Sequence, residues 1–493
     1  MLKVSKRDIR QGYKGIKYLA KKAFEKGDYE KSLEYISHCA TVAQQFNFIY
    51  SDHELEQLLK KIGEKTIDKQ PDNYEPTPNR VVFYDDFCVS YVLAIQYLDA
   101  LVDAGNEILY VIYEKRRDFE TILGRLKNYP NLKIVVVKSE GCRTKVIENL
   151  YNEIVGYNPQ QFFLHIEANS LIVPALYMLP KTIKRYIINL ADQTFWLGAG
   201  AVDYVLEFRQ FGVSVSQQRR GIKPEQQLLV PFYPVVDGNA FHGFPEGLTR
   251  DGKVLVFSGS DVYKVLDERR MYWHLVKRLL DSFPDVVFWF ATKMGDNANV
   301  FMEKFIKDNH YEGRFFYTAF RKDINEVLAH VDIFMGTCPV CGSLMSQLAA
   351  RNATPILQYY YPGTPDDETE QAICVNDEFQ ISFDSEDAFM AEAEKLIYDA
   401  DYRKKQGERL KKAMVSPEQF NAMVKTAIET NKTPLPLKPF DVDYTVLDDR
   451  WFELEKLGHV NIMPFICGLL GKKTCLKYAP TLLMKKIMKK FQI

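Results

Sequence analysis

Val331-Asp332-Ile333-Phe334-Met335-Gly336-Thr337-Cys338-Pro339-Val340-Cys341-Gly342-Ser343 runs into Leu344–Arg351 and then Pro355–Tyr359. A short apolar run over Asp332–Phe334 is followed by a loop of small residues, a helical stretch and a second apolar run. A strand that returns parallel to itself needs a crossover of this kind, and the usual crossover is a helix. The alternation continues outward. Lys253–Phe257, Val286–Phe290 and Arg314–Tyr317 are β-rich, and Leu266–Leu280, Asn297–Lys307 and Ile324–Ala329 carry helical spacing between them.

Further upstream the same pattern occurs a second time. Arg80–Tyr84, Ile108–Tyr113, Leu132–Val137, Phe162–Ile166 and Arg185–Leu190 are short runs rich in Ile, Val, Phe and Tyr, and helical stretches, beginning with Val89–Val102, separate them. Each half predicts an α/β domain, a parallel sheet with helices on both faces. Residues 221–252 contain Pro224, Pro231, Pro234, Gly238, Gly243 and Pro245 and read as a linker between the halves. Two Rossmann-like halves joined in this way leave a cleft, and open α/β sheets bind ligands outside the C-terminal ends of their strands.

The expected organisation is a helical extension over 1–70, a first Rossmann-like domain over 78–240, a second over 251–415, and C-terminal helices with a basic tail over 416–493. In the extension, Tyr13, Ile16, Ala20, Ala23 and Phe24 recur at helical spacing, and Gly27-Asp28 breaks the pattern. Leu33, Ile36 and Ala40 mark a second helix, and Asp52 an N-cap for a third. These helices predict a cap on the first domain or an oligomer contact.

The length of 493 residues requires more than one core. Charged residues make up 26% and the net charge is -1, so the basic excess of a nucleic-acid binder is missing. The N-terminus lacks an apolar signal segment, and the eight cysteines form no dense framework, which predicts a cytoplasmic protein. Cys338-Pro-Val-Cys341 has no second ligand pair at zinc spacing and reads as small residues in a turn. No dinucleotide GxGxxG, P-loop or DxD triad at a strand end occurs, so neither a resident cofactor nor a metal is expected. The final 23 residues carry +7, leaving -8 on the rest. On a helical wheel Leu483, Met484, Ile487, Met488 and Phe491 fall on one arc and Lys485, Lys486, Lys489 and Lys490 on another, a pattern suited to an anionic membrane surface.

Candidate site residues follow from strand ends. Phe257-Ser258-Gly259-Ser260 is a turn that lets a nucleotide approach the backbone. In the opening stretch, Thr337, Gly342 and Ser343 precede a helix whose unpaired N–H groups and positive dipole end suit a diphosphate, with Ser343 as its N-cap. Lys293 and Arg321 lie past strand ends and could offset a diphosphate leaving group. Asp366-Asp367-Glu368, after a Pro362-Gly363 turn, put negative charge at a helix start. In the first half, Asp85-Asp86 and Glu167 follow strands and could act as bases toward a hydroxyl, whereas His165 reads as a core histidine.

These residues resemble the GT-B glycosyltransferases, whose two Rossmann-like domains face each other and hold a nucleotide-sugar on the second. The similarity rests on Val331-Asp332-Ile-Phe, on Cys341-Gly342-Ser343 and on Gln347 through Asn352 to Thr354-Pro355-Ile356, with Gln347 and Asn352 at positions that often hold Glu and Gly. Asn189-Leu-Ala-Asp192-Gln193-Thr194-Phe-Trp196-Leu-Gly198 also resembles an Asp-His-x-Phe-Trp-x-Gly stretch of some bacterial members, with Gln193 at the His position. The resemblance covers about residues 78–430. It implies a metal-independent transferase moving a sugar from a nucleotide-sugar to a glycan or lipid-linked glycan, peripheral to the inner membrane face. Asp192, Gln193, Asp86 and Glu167 would stand near the acceptor hydroxyl. Ser258, Gly259, Ser260, Lys293, Arg321, Thr337, Gly342 and Ser343 would hold the donor. The alternatives are a sugar-nucleotide epimerase of the same fold and a non-catalytic partner protein.

Overall fold

The computed structural model describes residues 5–458 except 68–70, 72, 88–91, 115–118, 139–140, 237, 294–295 and 365–368. The basic tail 471–493 and the acidic run Asp366–Glu368 lie outside the described residues.

Three helices open the chain: α1 (Lys6–Glu25), α2 (Tyr29–Phe46) and α3 (His53–Thr66). Asp52 caps α3 as its sequence suggests, with Oδ1 accepting from the backbone N–H of Glu54 at 3.0 Å and of Leu55 at 3.2 Å. Its Oδ2 accepts from the Tyr13 hydroxyl at 2.7 Å and Lys17 Nζ at 2.8 Å, so one carboxylate both starts α3 and ties α1 to it. The apolar faces of the three helices, including Ile16, Ile36 and Leu59, join a core with Val82, Tyr84, Phe162 and Leu164 of the first sheet. Gly63 allows α3 to approach the helix Val173–Met178, because a Cβ there would lie 2.5 Å from the Pro174 carbonyl oxygen. The extension is therefore a cap built into the first domain, and its apolar stripe is spent inside the chain.

The first sheet has seven strands: β1 (Thr77–Asp85), β2 (Glu107–Tyr113), β3 (Leu132–Val137), β4 (Pro159–His165), β5 (Lys184–Ile188), β6 (Tyr204–Glu207) and β7 (Gln227–Leu229). Their order is β3-β2-β1-β4-β5-β6-β7, all parallel. Side chains alternate along β1: Val82 and Tyr84 face the helical cap, while Val81 and Phe83 face a second core. That second core includes Phe420, Val424, Ala427 and Ile428 of the helix Pro417–Thr430, so the chain crosses back from the second domain to cover the first. Ser416 starts this helix with a reciprocal cap to Gln419, and Pro417 occupies its first position. Each of the larger buried side chains contributes about 1.5–3 kcal/mol, which holds the two domains' chain ends together.

The second sheet is β8 (Val254–Gly259), β9 (Val286–Thr292), β10 (Phe315–Ala319), β11 (Ile333–Met335), β12 (Ile356–Tyr359) and β13 (Ser382–Phe383), in the order β10-β9-β8-β11-β12-β13 and parallel throughout. Strands β6, β7 and β13 go beyond the sequence expectation. They have two to four residues each, too few to show a period of their own. No described helix is long and apolar enough to cross a membrane.

Candidate functional site at the two topological switch points

In each sheet the strand order reverses direction once, between β1 and β4 in the first and between β8 and β11 in the second. At such a point the crossover helices leave to opposite faces and a crevice opens beyond the strand ends. The candidate residues divide according to how near they lie to these two points.

At the first switch, Asp85 is fully buried and pairs in register with His165 across β1 and β4. Its carboxylate accepts from the Tyr110 hydroxyl at 2.7 Å and sits 3.0 Å from His165 Nδ1. His165 is thus a partnered core histidine. Asp86, one residue further, accepts from the Glu167 backbone N–H at 2.9 Å, the Ser170 hydroxyl at 2.5 Å and the Tyr84 hydroxyl at 3.2 Å. Burial pushes its carboxyl up to about 7, against the lowering effect of Ser170 and the Glu167 N–H. Glu167 lies two residues past β4 and is half-buried. The structure brings Asp86 and Glu167 together.

Asp192 follows β5 and is fully buried. Arg209 Nε and Nη2 hold its two carboxylate oxygens at 2.6 and 2.7 Å. Arg220 Nη2 donates to the carbonyl oxygens of Asp192 and Thr194, each at 2.7 Å. Beside them Glu207, its carboxyl raised by burial, accepts from Asn189 at 2.7 Å. The Trp196 indole N–H donates to Asn189 at 3.1 Å. Asp192 is a strut in a buried charged network, and Trp196 is a core residue. Gln193 is half-buried, and its carbonyl accepts from Asn47 Nδ2 at 2.6 Å.

At the second switch, β8 ends in the buried Ser258-Gly259. A Cβ on Gly259 would lie 3.2 Å from the Ala291 carbonyl oxygen and 3.3 Å from the Phe257 ring. Ser260 donates its N–H to that same carbonyl at 3.0 Å. The loop after β11 is also built tightly. A Cβ on Gly336 would overlap the Gln358 side chain, Thr337 Oγ1 donates to the Val340 carbonyl at 2.7 Å, and Gln358 Nε2 donates to the Thr337 carbonyl at 3.0 Å. Cys338 and Cys341 lie in this loop without a disulfide. Gly342 occupies the N-cap position of the helix Ser343–Arg351, with no side-chain cap bond. Ser343, expected as the cap, is instead the first helical residue, because the helix begins one residue earlier than its sequence suggests.

The cations at this switch are not those the sequence singled out. Lys293 is exposed just beyond β9, and Arg321 lies past β10, so both are on the far side of β8 from β11. Arg321 clamps Asp323 at 2.7 and 2.6 Å and lies over the Trp289 ring at 5.2 Å. This pairing, with the N–H of His242 at 2.7 Å, holds the Asp323 carboxyl far below its usual range. Arg321 thereby fastens the interdomain linker to the second domain. Lys264 is the cation at the switch itself. Its carbonyl accepts from the Val340 N–H at 3.4 Å, so the loops after β8 and β11 meet there, and it holds no ion pair among the described residues. Arg269 lies nearby over the Tyr361 ring at 5.3 Å, and Arg450 donates to the Pro339 carbonyl at 3.3 Å. The position of Lys264 past the end of the first strand of its domain was a usable signal. Arg450 is 111 residues from its partner and gave none.

The two domains meet along one cleft. The helix Gln210–Arg219 follows β6 and the helix Glu370–Ile373 follows β12, and the Phe211 N–H donates to Gln371 Oε1 across the gap at 2.9 Å. Gln347 Nε2 bridges the carbonyl oxygens of Phe232 and Ala372 at 3.1 and 3.0 Å. A cavity of about 380 Å³ lies between the domains, lined by Arg209, Gln210, Glu370, Gln371, Cys374 and Lys438 among others.

No family model matches the chain, and no curated protein matches it in sequence. Solved structures do align with it. An O-GlcNAc transferase from Thermobaculum terrenum is 12% identical, with 92% of this chain and 82% of that one covered at a TM-score of 0.50. A glycosyltransferase from Rickettsia africae is also 12% identical, over 73% of this chain and 98% of that one, at 0.51. The fold is that of the GT-B enzymes, two Rossmann-like domains across a cleft. Likeness at this identity bears on the fold alone, so function rests on the residues at the switches.

Proposed function

We propose that the protein is a glycosyltransferase that binds a nucleotide-sugar on its second domain and transfers the sugar to a hydroxyl of a glycan or lipid-linked glycan held by its first. The observation that carries this reading is the meeting of the segments after β8 and β11 at Lys264 and Val340, at the β8/β11 switch and beside a helix start with no side-chain cap. A diphosphate placed there would receive backbone N–H groups, the helix dipole and the Lys264 ammonium together. The strength of that charge would offset what develops on the leaving group without a metal. Across the cleft, Asp86 has a carboxyl poised near neutrality with Glu167 beside it, the property a general base for an acceptor hydroxyl needs. Gln193 can orient a hydroxyl through its amide.

The test is nucleotide binding, read as a thermal shift with uridine, guanosine and cytidine diphosphates. A shift with one of them, abolished in Lys264→Ala, supports the reading; no shift with any of them ends it. One observation favours a second reading, a non-catalytic relative that binds nucleotide only. Asp192, the acid in the stretch most like known transferases, is fully committed to Arg209. That reading requires a shift with the diphosphate but neither transfer nor hydrolysis of the donor.

A further inference from the structure

The helix α1 has a face that the fold does not use. Its buried residues Ile9, Tyr13, Ile16, Ala20 and Ala23 cover one side. At about 100° per residue, Arg7, Arg10, Lys14, Tyr18 and Lys22 fall on the opposite side, and all five are exposed. Lys17 and Lys21, toward the edges, are paired with Asp52 and Glu54 of α3, and Lys22 with Glu25. Arg7, Arg10 and Lys14 hold no ion pair among the described residues. Tyr18 stands in the middle of the row with 57% of its surface exposed, among the largest exposures of any apolar side chain described.

The charge of the chain is also strongly polarised. Residues 1–27 carry +7 and residues 471–493 carry +7, so residues 28–470 carry -15. The start of the first basic segment packs against the last described helix. Lys6, at the start of α1, pairs with Asp449 and lies 5.8 Å over the Phe452 ring, and both partners belong to the helix Tyr444–Gly458 from which the chain leaves toward its basic end.

We propose that the exposed face of α1 is a docking surface for an anionic lipid bilayer. From Arg7 to Lys22 the helix presents about 22 Å of basic surface, convex and open, which suits a plane of headgroups. Tyr18 has the amphipathic ring that settles at headgroup depth. Nucleic acid is also a polyanion, but it offers no apolar phase. The basic end of the sequence, outside the described residues, spaces Leu483, Ile487 and Phe491 in a helical pattern suited to lipid. The -15 body is repelled by the same leaflet, so the molecule binds in one orientation, α1 down.

Sedimentation of the full chain with vesicles tests this. The protein should pellet with phosphatidylcholine vesicles containing phosphatidylglycerol and remain in solution with phosphatidylcholine alone. The triple variant Arg7→Glu, Arg10→Glu, Lys14→Glu should bind the anionic vesicles at least about tenfold more weakly, since each cation near the leaflet is worth about fivefold. Lys60→Glu with Lys61→Glu, exposed on α3, should leave binding within about twofold and controls for net charge. Unchanged circular dichroism and nucleotide shift in the triple variant exclude misfolding; if it unfolds, the corresponding Gln variant is measured in its place and should weaken binding in the same direction. The proposal is overturned if the triple variant binds as the parent does, if the α3 variant loses as much, or if an RNA oligonucleotide displaces the vesicles.

Discussion

The two switch points are built from similar strands but use their polar residues in opposite ways. At the first and along the strands β5 and β6 beside it, the polar groups are turned toward one another: Asp85 to His165, Asp192 to Arg209, and Glu207 to Asn189. At the second, the loop after β11 is mostly of small residues, and Lys264, whose carbonyl meets it, has no ion pair among the described residues. One side pairs most of its charge within the fold and the other leaves a cation unpaired among the described residues. A buried pair is costly to break, while an unpaired cation at a loop is cheap to lose and expensive only to what binds it. The contrast assigns different outcomes to substitutions that look equivalent on paper.

The largest effect is expected at Asp192. Removing it by Asp192→Ala leaves the Arg209 guanidinium buried without its carboxylate and should cost about 3–5 kcal/mol of folding stability, read by urea unfolding. A loss of nucleotide binding without loss of stability would overturn the assignment of Asp192 as a strut. Next is Asp86. Its folded carboxyl titrates near 7, above the ordinary aspartate value, so between about pH 4 and pH 7 the native state keeps a proton that the unfolded chain has released. Its contribution to stability is present at acid pH and is lost as pH rises through about 7. Asp86→Asn should remove that decline, a difference of a few kcal/mol at most. Parallel unfolding curves for both proteins from pH 5 to pH 8 would refute it. If Asp86 is also the base, parent activity should rise through the same window and the variant should lose it. Smaller again is Lys264→Ala, which should weaken diphosphate binding by about 1.5–3 kcal/mol while leaving the melting temperature of the free protein within a degree or two. Equal binding would move the phosphate site elsewhere. Lys293→Ala is the matched control and should leave binding unchanged.

The sequence carried the architecture well because the evidence for it is local and repeated. Ile108–Tyr113 and Leu132–Val137 are apolar runs long enough to show what they are, and both match strands at the stated positions or within a residue. Asp52 was legible as a cap because capping acts over three residues. The strands of two to four residues were not legible, and neither was the return of Pro417–Thr430 to the first domain, since that packing joins residues more than 300 apart. The site was readable to the level of the loop and no further. Position along the chain singled out the loops after β8 and β11 separately, and the fold sets both beside one switch. It could not say that Arg321 would face Asp323, or that the Lys264 carbonyl would meet the Val340 N–H, because a residue's partner is set by the fold.

Gln347 tests the contrast where the two domains meet. The position resembles one that often holds Glu, yet here Nε2 donates to two carbonyl oxygens, of Phe232 and Ala372, from a side chain that is almost fully buried. Both partners are acceptors, so only a donor satisfies them. Gln347→Ala leaves two buried carbonyls without this donor and should lower stability by about 1 kcal/mol. Gln347→Glu, nearly the same in shape, should cost more than Ala does, because an ionised carboxylate would press oxygen against oxygen in a buried setting. The order Gln, then Ala, then Glu in unfolding free energy identifies a structural donor between domains. The reverse order for the last two, with Glu gaining diphosphate or sugar affinity, would identify a ligand contact instead and would place the donor's sugar or ribose on the helix Ser343–Arg351.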